Sequence, residues 1–461
     1  DVARYADSNG YSIDAPRQIW KYRDWVVAAF NRDLPFDQFT IDQLAGDLLP
    51  NPTIEQKVAT GFNRNTQINQ EGGIDPEQFR VESVIDRVNT YGTAFLGLTV
   101  ACSQCHDHKF DPISQREYYQ LYAFFNNTKN DGHGGAPTGS LEIPGEFENF
   151  EGVEKELEEL RGDLDRFLNT KGSDIAQWES ALTPEAVQKL NKTSRAALDK
   201  PWGERSLDEK RAAYAAFNAD DPEFKNRHAK LARLEKREPK PVTTLVMEEL
   251  PEPRETHLLI KGDFTRPGAV VAAGVLSVLH PPAGPLSNRL DLARWTVDPA
   301  NPLFARVVVN RVWQQYFGRG IVETENDFGT QGILPTHPAL LDWLACEFMR
   351  PTTADAPPWS LKHLHRLIVG SATYRQSSNI RPELAEIDPN NFLLARQTRL
   401  RLDAEIIRDV ALSAGGLLSP EVGGPPVFPP QPDGVMSLGQ SNRPWKPSTG
   451  SDRYRRALYT H

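Results

Sequence analysis

The spacing of apolar residues constrains the fold of this 461-residue chain more than any other feature. In its middle, apolar residues recur alternately four and three positions apart, which is the heptad spacing of paired helices. They are Val153, Leu157, Leu160, Leu164 and Phe167. Stripes with a helical period of about 3.6 residues also cover residues 19–30 and 79–88. The pattern predicts a mainly α, multidomain fold.

Other local signals interrupt this helical pattern from residue 243 onward. Residues 243–247 and 257–261 favour short strands, and the proline-rich stretch 423–432 must be a loop. The mainly α fold should therefore contain a few short β-strands and long irregular loops. Candidate helix caps are Thr53, Ser114, Ser206, Thr336 and Ser360.

Composition changes along the chain and predicts three domains. Residues 1–143 form a helical domain that carries two of the three cysteines. Residues 144–242 form a charged helical hairpin, an insertion similar to a coiled coil, to which we assign no chemistry. Residues 243–461 have a mixed start and are then mainly helical. We expect the two segments that flank the insertion to pack together.

The overall composition excludes several classes of protein. The chain is 39% hydrophobic and 25% charged, as is usual for a globular protein. Its net charge is −10 and its basic residues alternate with acids, which argues against a nucleic-acid partner. We find no apolar run of about 18 residues, so we predict no transmembrane segment.

The cysteines provide the most specific chemical signal. Cys102 and Cys105 lie three positions apart, and His106 follows directly. Covalent haem attachment needs two thiols about one helical turn apart, and then an imidazole that reaches the iron from the same side. The motif therefore predicts haem c, bound through Cys102 and Cys105, with His106 as the proximal iron ligand.

Two other interpretations of the motif remain open. A zinc site would use Cys102, Cys105 and two of the side chains His106, His108 and Asp111. A second pair of closely spaced cysteines or a distant histidine pair would favour zinc, and the third cysteine, Cys346, is isolated in a predicted helix. The third interpretation is a coincidence of spacing without function.

The residues after the motif are candidates for chemistry beside the iron. His108 could bind a haem propionate, hold a second metal or act as acid or base, whereas its structural role would be a pair with an aspartate. Lys109 and Asp111 are further catalytic candidates.

Spacing does not fix the sixth iron ligand. Met247, His133 and His257 are the candidates, and Met247 is our preferred one. A methionine or histidine there would suit electron transfer, whereas an open position would suit catalysis.

A second polar cluster lies between residues 310 and 375. It includes the catalytic candidates Arg311 and His337. The cluster could bind an acidic or polyhydroxylated ligand, and salt bridges between domains are the alternative. Asp327-Phe328-Gly329 does not indicate a kinase, because no glycine-rich loop or catalytic-loop signature accompanies it.

Several longer motifs carry a family resemblance. The first group resembles the planctomycete-type cytochrome c family: ARYAD at 3–7, YRDW at 22–25, QLAGD at 43–47, EGG at 71–73, DRVN at 86–89 and CSQCHDHK at 102–109. The second group resembles the uncharacterised domain usually fused to that family: NR at 310–311, DFG at 327–329, HP at 337–338, LDW at 341–343 and SATYRQ at 371–376.

The resemblance implies a periplasmic or extracellular protein of Planctomycetes or related bacteria, with no established substrate. Members usually extend further at both ends, often with a haem domain upstream, so the carboxy-terminal domain of this chain is expected to be truncated.

Together, the motif and the resemblance predict a c-type haem protein with a redox role. It would be an oxidoreductase that acts on a carbohydrate or another small molecule, or a carrier that only relays electrons. Its partner would be another cytochrome or the upstream haem domain. The alternative is a metal-dependent hydrolase or binding protein that uses His106, His108 and Asp111.

Overall fold

The computed structural model describes residues 2–11, 13–129, 140–143, 150–236, 242–384, 386–432, 434–435 and 445–461. Helices make up most of the regular structure in these ranges, which confirms the predicted mainly α fold with a few short strands. The chain divides into two units: unit 1 combines residues 1–141 with 243–461, and unit 2 comprises residues 142–242.

The amino-terminal part of unit 1 is helical, and three of its five α-helices begin at side-chain caps. Thr53 and Ser114 form capping boxes with Gln56 and Glu117, as predicted. Asp75 accepts hydrogen bonds from the first turn of the longest of these helices. The helices are α1 (Trp20–Asn31), α2 (Phe36–Ala45), α3 (Ile54–Ala59), α4 (Pro76–Tyr91) and α5 (Gln115–Asn126).

Strand β1 (Ser140–Ile143) pairs with β2 (Val242–Leu245) in a two-stranded sheet, and between them the chain forms the helices of unit 2. These helices are α6 (Phe150–Thr170), α7 (Gly172–Ser180), α8 (Pro184–Lys189), α9 (Lys192–Leu198), α10 (Leu207–Asn218) and α11 (Pro222–Glu235).

Unit 2 is richer than the predicted two-helix hairpin. Helices α6 and α11 pack against each other, and α10 and α7 also pack on α6. Leu164, Leu168 and Ile175 are fully buried in the shared core. The shorter helices are difficult to recognise because each spans only two or three turns, too short to display an apolar period. Thr183 and Asn191 begin two of them as caps.

The rest of unit 1 contains two strands and another set of helices. Strand β3 (His257–Leu259) pairs antiparallel with β4 (Pro267–Val270), and a turn at Ile260–Gly262 follows β3. The helices are α12 (Arg289–Val297), α13 (Phe304–Phe317), α14 (Pro338–Met349), α15 (Leu361–Gly370), α16 (Ala372–Arg375) and α17 (Ala404–Ala414). Residues 318–337 and 418–432 contain neither helix nor strand, in line with the predicted irregular loops.

The two segments of unit 1 share one core. Helix α2 packs on α12, and α13 packs on α14. The ring of Phe36 lies 6.1 Å from Phe304 and 6.0 Å from Phe348, between ring centroids. The two parts of the sequence that resemble known domains therefore fold together rather than separately.

One predicted cap is wrong. Helix α14 begins after His337, which makes no side-chain capping bond. The predicted cap, Thr336, instead bonds through its backbone N–H and its hydroxyl to the Ile321 carbonyl. In the described part of the chain, no helix combines the length and the apolar character needed to cross a membrane.

Candidate functional site

The two cysteines lie on a tight turn at the surface of unit 1. A short 3-10 helix, Ala101–Gln104, carries Cys102, and the Cys105 N–H donates to the Cys102 carbonyl at 3.3 Å. Both thiols are exposed and neither is in a disulfide. Ser103, between them, is fully buried and anchors the turn. The turn therefore presents both thiols to solvent from neighbouring positions.

The histidine that follows is exposed, and its ring is oriented by the backbone. The His106 Nδ1 lies 2.7 Å from the Asp107 carbonyl oxygen. A carbonyl oxygen only accepts, so Nδ1 must carry a proton and donate it. In the neutral ring, Nε2 is then the unprotonated nitrogen and can bind a metal. Histidines that bind metals are commonly held in this way through their other nitrogen.

His108 and Asp111 form a closed loop directly behind the motif. The Asp111 N–H donates to the His108 Nδ1 at 2.9 Å, and the His108 N–H donates to the Ile113 carbonyl at 2.8 Å. The Asp111 carboxylate lies 3.5 Å from the same ring nitrogen. A ring nitrogen that accepts a hydrogen bond from a backbone N–H carries no proton. The contact between the His108 Nδ1 and the Asp111 carboxylate is therefore made by a neutral ring and is not an ion pair.

The loop that contains Asp327-Phe328-Gly329 braces both ends of the motif segment. The Thr330 N–H and hydroxyl donate to the Asp111 carboxylate at 2.6 and 2.9 Å. The Phe328 N–H donates to the Gly97 carbonyl at 2.7 Å. Gly97 has a φ of 59°, in the left-handed region that favours glycine, and a side chain there would meet Phe328. The sequence showed the tripeptide but not this contact.

Two side chains of α5 hold the turn from the interior. The Gln115 side-chain amide donates to the carbonyls of Gln104 and Leu259 at 3.0 and 3.1 Å. The Tyr119 hydroxyl donates to the Gln104 carbonyl at 2.9 Å. Burial raises the pKa of Tyr119 above its ordinary value, which keeps this hydroxyl protonated as a donor. Neither residue was recognised from the sequence, because no local pattern marks these side chains as partners of the turn.

The turn after β3 closes one side of Cys105. Gly262 has a φ of 74°, and a Cβ built on it would lie 2.8 Å from the Cys105 Sγ. Glycine is required there because its backbone approaches the sulfur directly. This approach leaves the other side of Cys105 exposed to solvent.

Of the three candidates for the sixth iron ligand, the structure describes Met247 and His257. Met247 is only 2% exposed, and its N–H donates to the Thr60 hydroxyl at 2.8 Å. His257 bonds through Nδ1 to the Gly268 carbonyl and through Nε2 to the Glu255 carboxylate. His133 lies outside the described residues. Met247 as a distal ligand stays a prediction.

The other catalytic candidates are Arg311 and His337 of the second cluster, and Lys109. Their contacts are with residues other than His108 and Asp111. Arg311 donates to the carbonyls of Thr93 and Ala94, which ties α13 to the turn at Gly92–Leu96. His337 is exposed and contacts the Thr336 hydroxyl. Lys109 is exposed and its ammonium lies 5.0 Å from the Phe110 ring centroid. The structure thus brings His108 and Asp111 together, and Arg311 anchors a neighbouring turn.

The residues at the motif fit covalent haem attachment. Two exposed thiols on one turn and an oriented imidazole with a free Nε2 are the required donors. Within the described ranges, no group of three or more His, Cys, Asp or Glu side chains is arranged to hold a metal ion.

Comparison with known proteins gives a family description for both ends of the chain. Residues 1–130 match the PSCyt2 family model, described as a protein of unknown function (DUF1549). Residues 288–461 match the PSD1 model, described as a protein of unknown function (DUF1553). Searches of curated proteins and of solved structures found no significant match. Two segments of the chain are therefore similar to planctomycete-type domains of unknown function.

Proposed function

We propose that this chain is a c-type haem protein with a redox role outside the cytoplasm. Cys102 and Cys105 would each add an S–H across one vinyl group of the porphyrin, and His106 would bind the iron through Nε2. The observation that carries the proposal is the bond from the His106 Nδ1 to the Asp107 carbonyl, beside two exposed thiols.

The surrounding residues would hold these donors in position. Gln115 and Tyr119 fix the Gln104 carbonyl and hence the turn between the cysteines and the histidine. Asp111 and Thr330 fix the loop that follows. The haem would supply one-electron exchange, and the protein would supply attachment, the orientation of His106 and the surroundings that set the potential.

The exposed position of the motif favours electron exchange with another protein, either a separate cytochrome or an upstream haem domain. Both forms of the redox role remain within the proposal: a carrier, or an oxidoreductase that takes electrons from a carbohydrate or another small molecule. A periplasmic or extracellular location is part of the proposal, since bacterial cytochrome c maturation attaches the haem outside the cytoplasm.

The test is expression in the periplasm together with a cytochrome c maturation system. We expect the intact mass to include one haem, and the denatured protein to keep a haem stain on a gel. Replacing both Cys102 and Cys105 with alanine should abolish both signals. Cys346→Ala is the matched control, because this cysteine is also exposed but stands alone, and it should keep the haem.

An intact mass equal to that of the bare polypeptide, with folded protein, would contradict the proposal. Zinc bound in equal amount to the chain would then favour the metal alternative. Where haem is attached, Met247→Ala tests the preferred sixth ligand, since loss of a thioether ligand lowers the reduction potential and changes the visible spectrum. An unchanged spectrum would remove Met247, and carbon monoxide binding by the unchanged chain would show an open position.

A further inference from the structure

Unit 1 contains an apolar cavity of about 530 Å³ that the haem proposal does not use. Its volume is in the range of cavities that bind small molecules. Its wall consists mainly of aromatic and aliphatic side chains, and these include Val27 of α1, Phe39 of α2, Val308 of α13, and Phe62. Val2, Phe30 and Leu458 also line it and are about half exposed, so they mark its opening to solvent.

One charged side chain in the wall has unused donors. The Arg23 side chain is 5% exposed, and its Nη2 donates to the Asp24 carboxylate at 3.2 Å and to the Gly424 carbonyl. Its Nε and Nη1 are buried and have no hydrogen-bond partner in the described structure. These two nitrogens carry three of the five N–H donors of a guanidinium. Leaving buried donors unpaired costs free energy, which a ligand with acceptor oxygens would recover.

The other charged side chain in the wall is also an arginine. Arg311 donates to backbone carbonyls and to the Asn326 side-chain oxygen, and these neutral acceptors leave its charge in place. Among the described residues that line the cavity there is no aspartate or glutamate. The polar atoms of Tyr22 and Gln43 bond to each other at 2.6 Å. The charged side chains that line the cavity are therefore both arginines, and the Asp24 carboxylate lies beside one of them.

We propose that this cavity binds an apolar monocarboxylate. The hydrocarbon part would occupy the space between α1, α2 and α13, and a carboxylate oxygen would accept a hydrogen bond from the Nη1 of Arg23. A hydrogen bond from a guanidinium to a carboxylate is stronger than one to a neutral oxygen, because both partners are charged. An alcohol of the same shape can accept the hydrogen bond but lacks the charge.

The test uses dodecanoate as the probe and isothermal titration calorimetry with the whole 461-residue chain. We expect saturable binding of one dodecanoate. Dodecanol, which has the same alkyl chain without the charge, should bind at least about tenfold more weakly, and Arg23→Gln should weaken dodecanoate binding by a similar factor.

A second pair of variants tests the location. Val27→Trp fills the cavity and should abolish binding, whereas Ala28→Trp, on the exposed side of the same helix, should change the affinity by less than about twofold. Circular dichroism checks that each variant folds, and if Arg23→Gln does not fold, the comparison of dodecanoate with dodecanol decides the role of the charge. Absence of binding, equal binding by Val27→Trp, or equal affinity for the acid and the alcohol would each overturn the proposal.

Discussion

Units 1 and 2 differ in how they accommodate buried positive charge. In unit 2, Arg205 and Lys210 are almost completely buried, and each reaches a carboxylate, Glu179 at 2.5 Å and Asp165 at 2.8 Å. In unit 1, Arg17 donates to the Asn9 side chain and to backbone carbonyls, and Arg87 donates to the Asn63 carbonyl and the Thr128 hydroxyl. In unit 2 these buried cations form ion pairs, whereas in unit 1 several buried arginines bond to neutral acceptors.

This difference has an electrostatic consequence. A neutral acceptor satisfies an N–H group but does not cancel the charge, so the buried guanidinium groups retain their field. Burial, with Arg64 and Arg289 as like-charged neighbours, lowers the pKa of Arg87, and burial lowers that of Arg17. Unit 1 is therefore the part of the chain in which an anion would be stabilised.

The largest effect is expected from removing a buried guanidinium of unit 1 that does have carboxylate partners. Arg289 is fully buried and bonds to both Asp47 oxygens, at 3.0 and 2.7 Å. Arg289→Met leaves buried carboxylates unpaired and should lower the free energy of unfolding by about 3–5 kcal/mol, measured by urea denaturation.

The matched control for that change lies in unit 2. Lys225 bonds to Asp220 at 2.7 Å, but their side chains are 60% and 92% exposed. Lys225→Met should cost less than about 1 kcal/mol. Similar losses of unfolding free energy in the two variants would show that burial does not decide how much these ion pairs contribute to stability.

A smaller difference is expected in how one histidine of each unit changes the stability of the fold with pH. The bond to the Gly268 carbonyl, with that to Glu255, raises the pKa of His257 in unit 1. Burial, with Arg211 nearby, lowers the pKa of His228 in unit 2. The protonated form of His257 therefore stabilises the fold below the unfolded pKa of about 6.5, and this contribution is lost as pH rises through the raised value.

The contribution of His228 to stability has the opposite sign. The unfolded chain binds the His228 proton more tightly than the folded chain does, so stability rises with pH. We expect His257→Gln to lower the free energy of unfolding at pH 5 by less than about 1 kcal/mol and to have no effect at pH 9. His228→Gln should raise stability at pH 5 only. Urea denaturation at the two pH values checks both signs, and a change of the same sign for both would contradict the assignment.

The smallest expected effect comes from removing unit 2. Replacing residues 150–236 with a short glycine–serine linker should leave the denaturation midpoint of unit 1 unchanged within error, because the core of unit 2 is formed by its own residues. The shortened chain should also incorporate haem to the same extent as the full chain. Loss of haem incorporation by a folded, shortened chain would show that unit 2 contributes to the site.

Much of the local structure was predictable because its causes are local. The capping boxes at Thr53, Ser114 and Ser206 each form as predicted, since the residues that make them are three positions apart. Thr336 failed as a cap because its hydroxyl bonds to the Ile321 carbonyl, fifteen positions away. The short helices α8 and α9 of unit 2 were missed because each is too short to display an apolar period.

The sequence by itself determined the helices, the insertion and the spacing of Cys102, Cys105 and His106, because helical period, capping and motif spacing depend on residues a few positions apart. Only the tertiary structure decided that Thr330 braces Asp111, that Gly262 lies against Cys105, and that Arg23 borders an apolar cavity. Each of these contacts joins residues more than 150 positions apart or depends on several helices at once. Such contacts follow from packing of the whole core, which local sequence patterns do not specify.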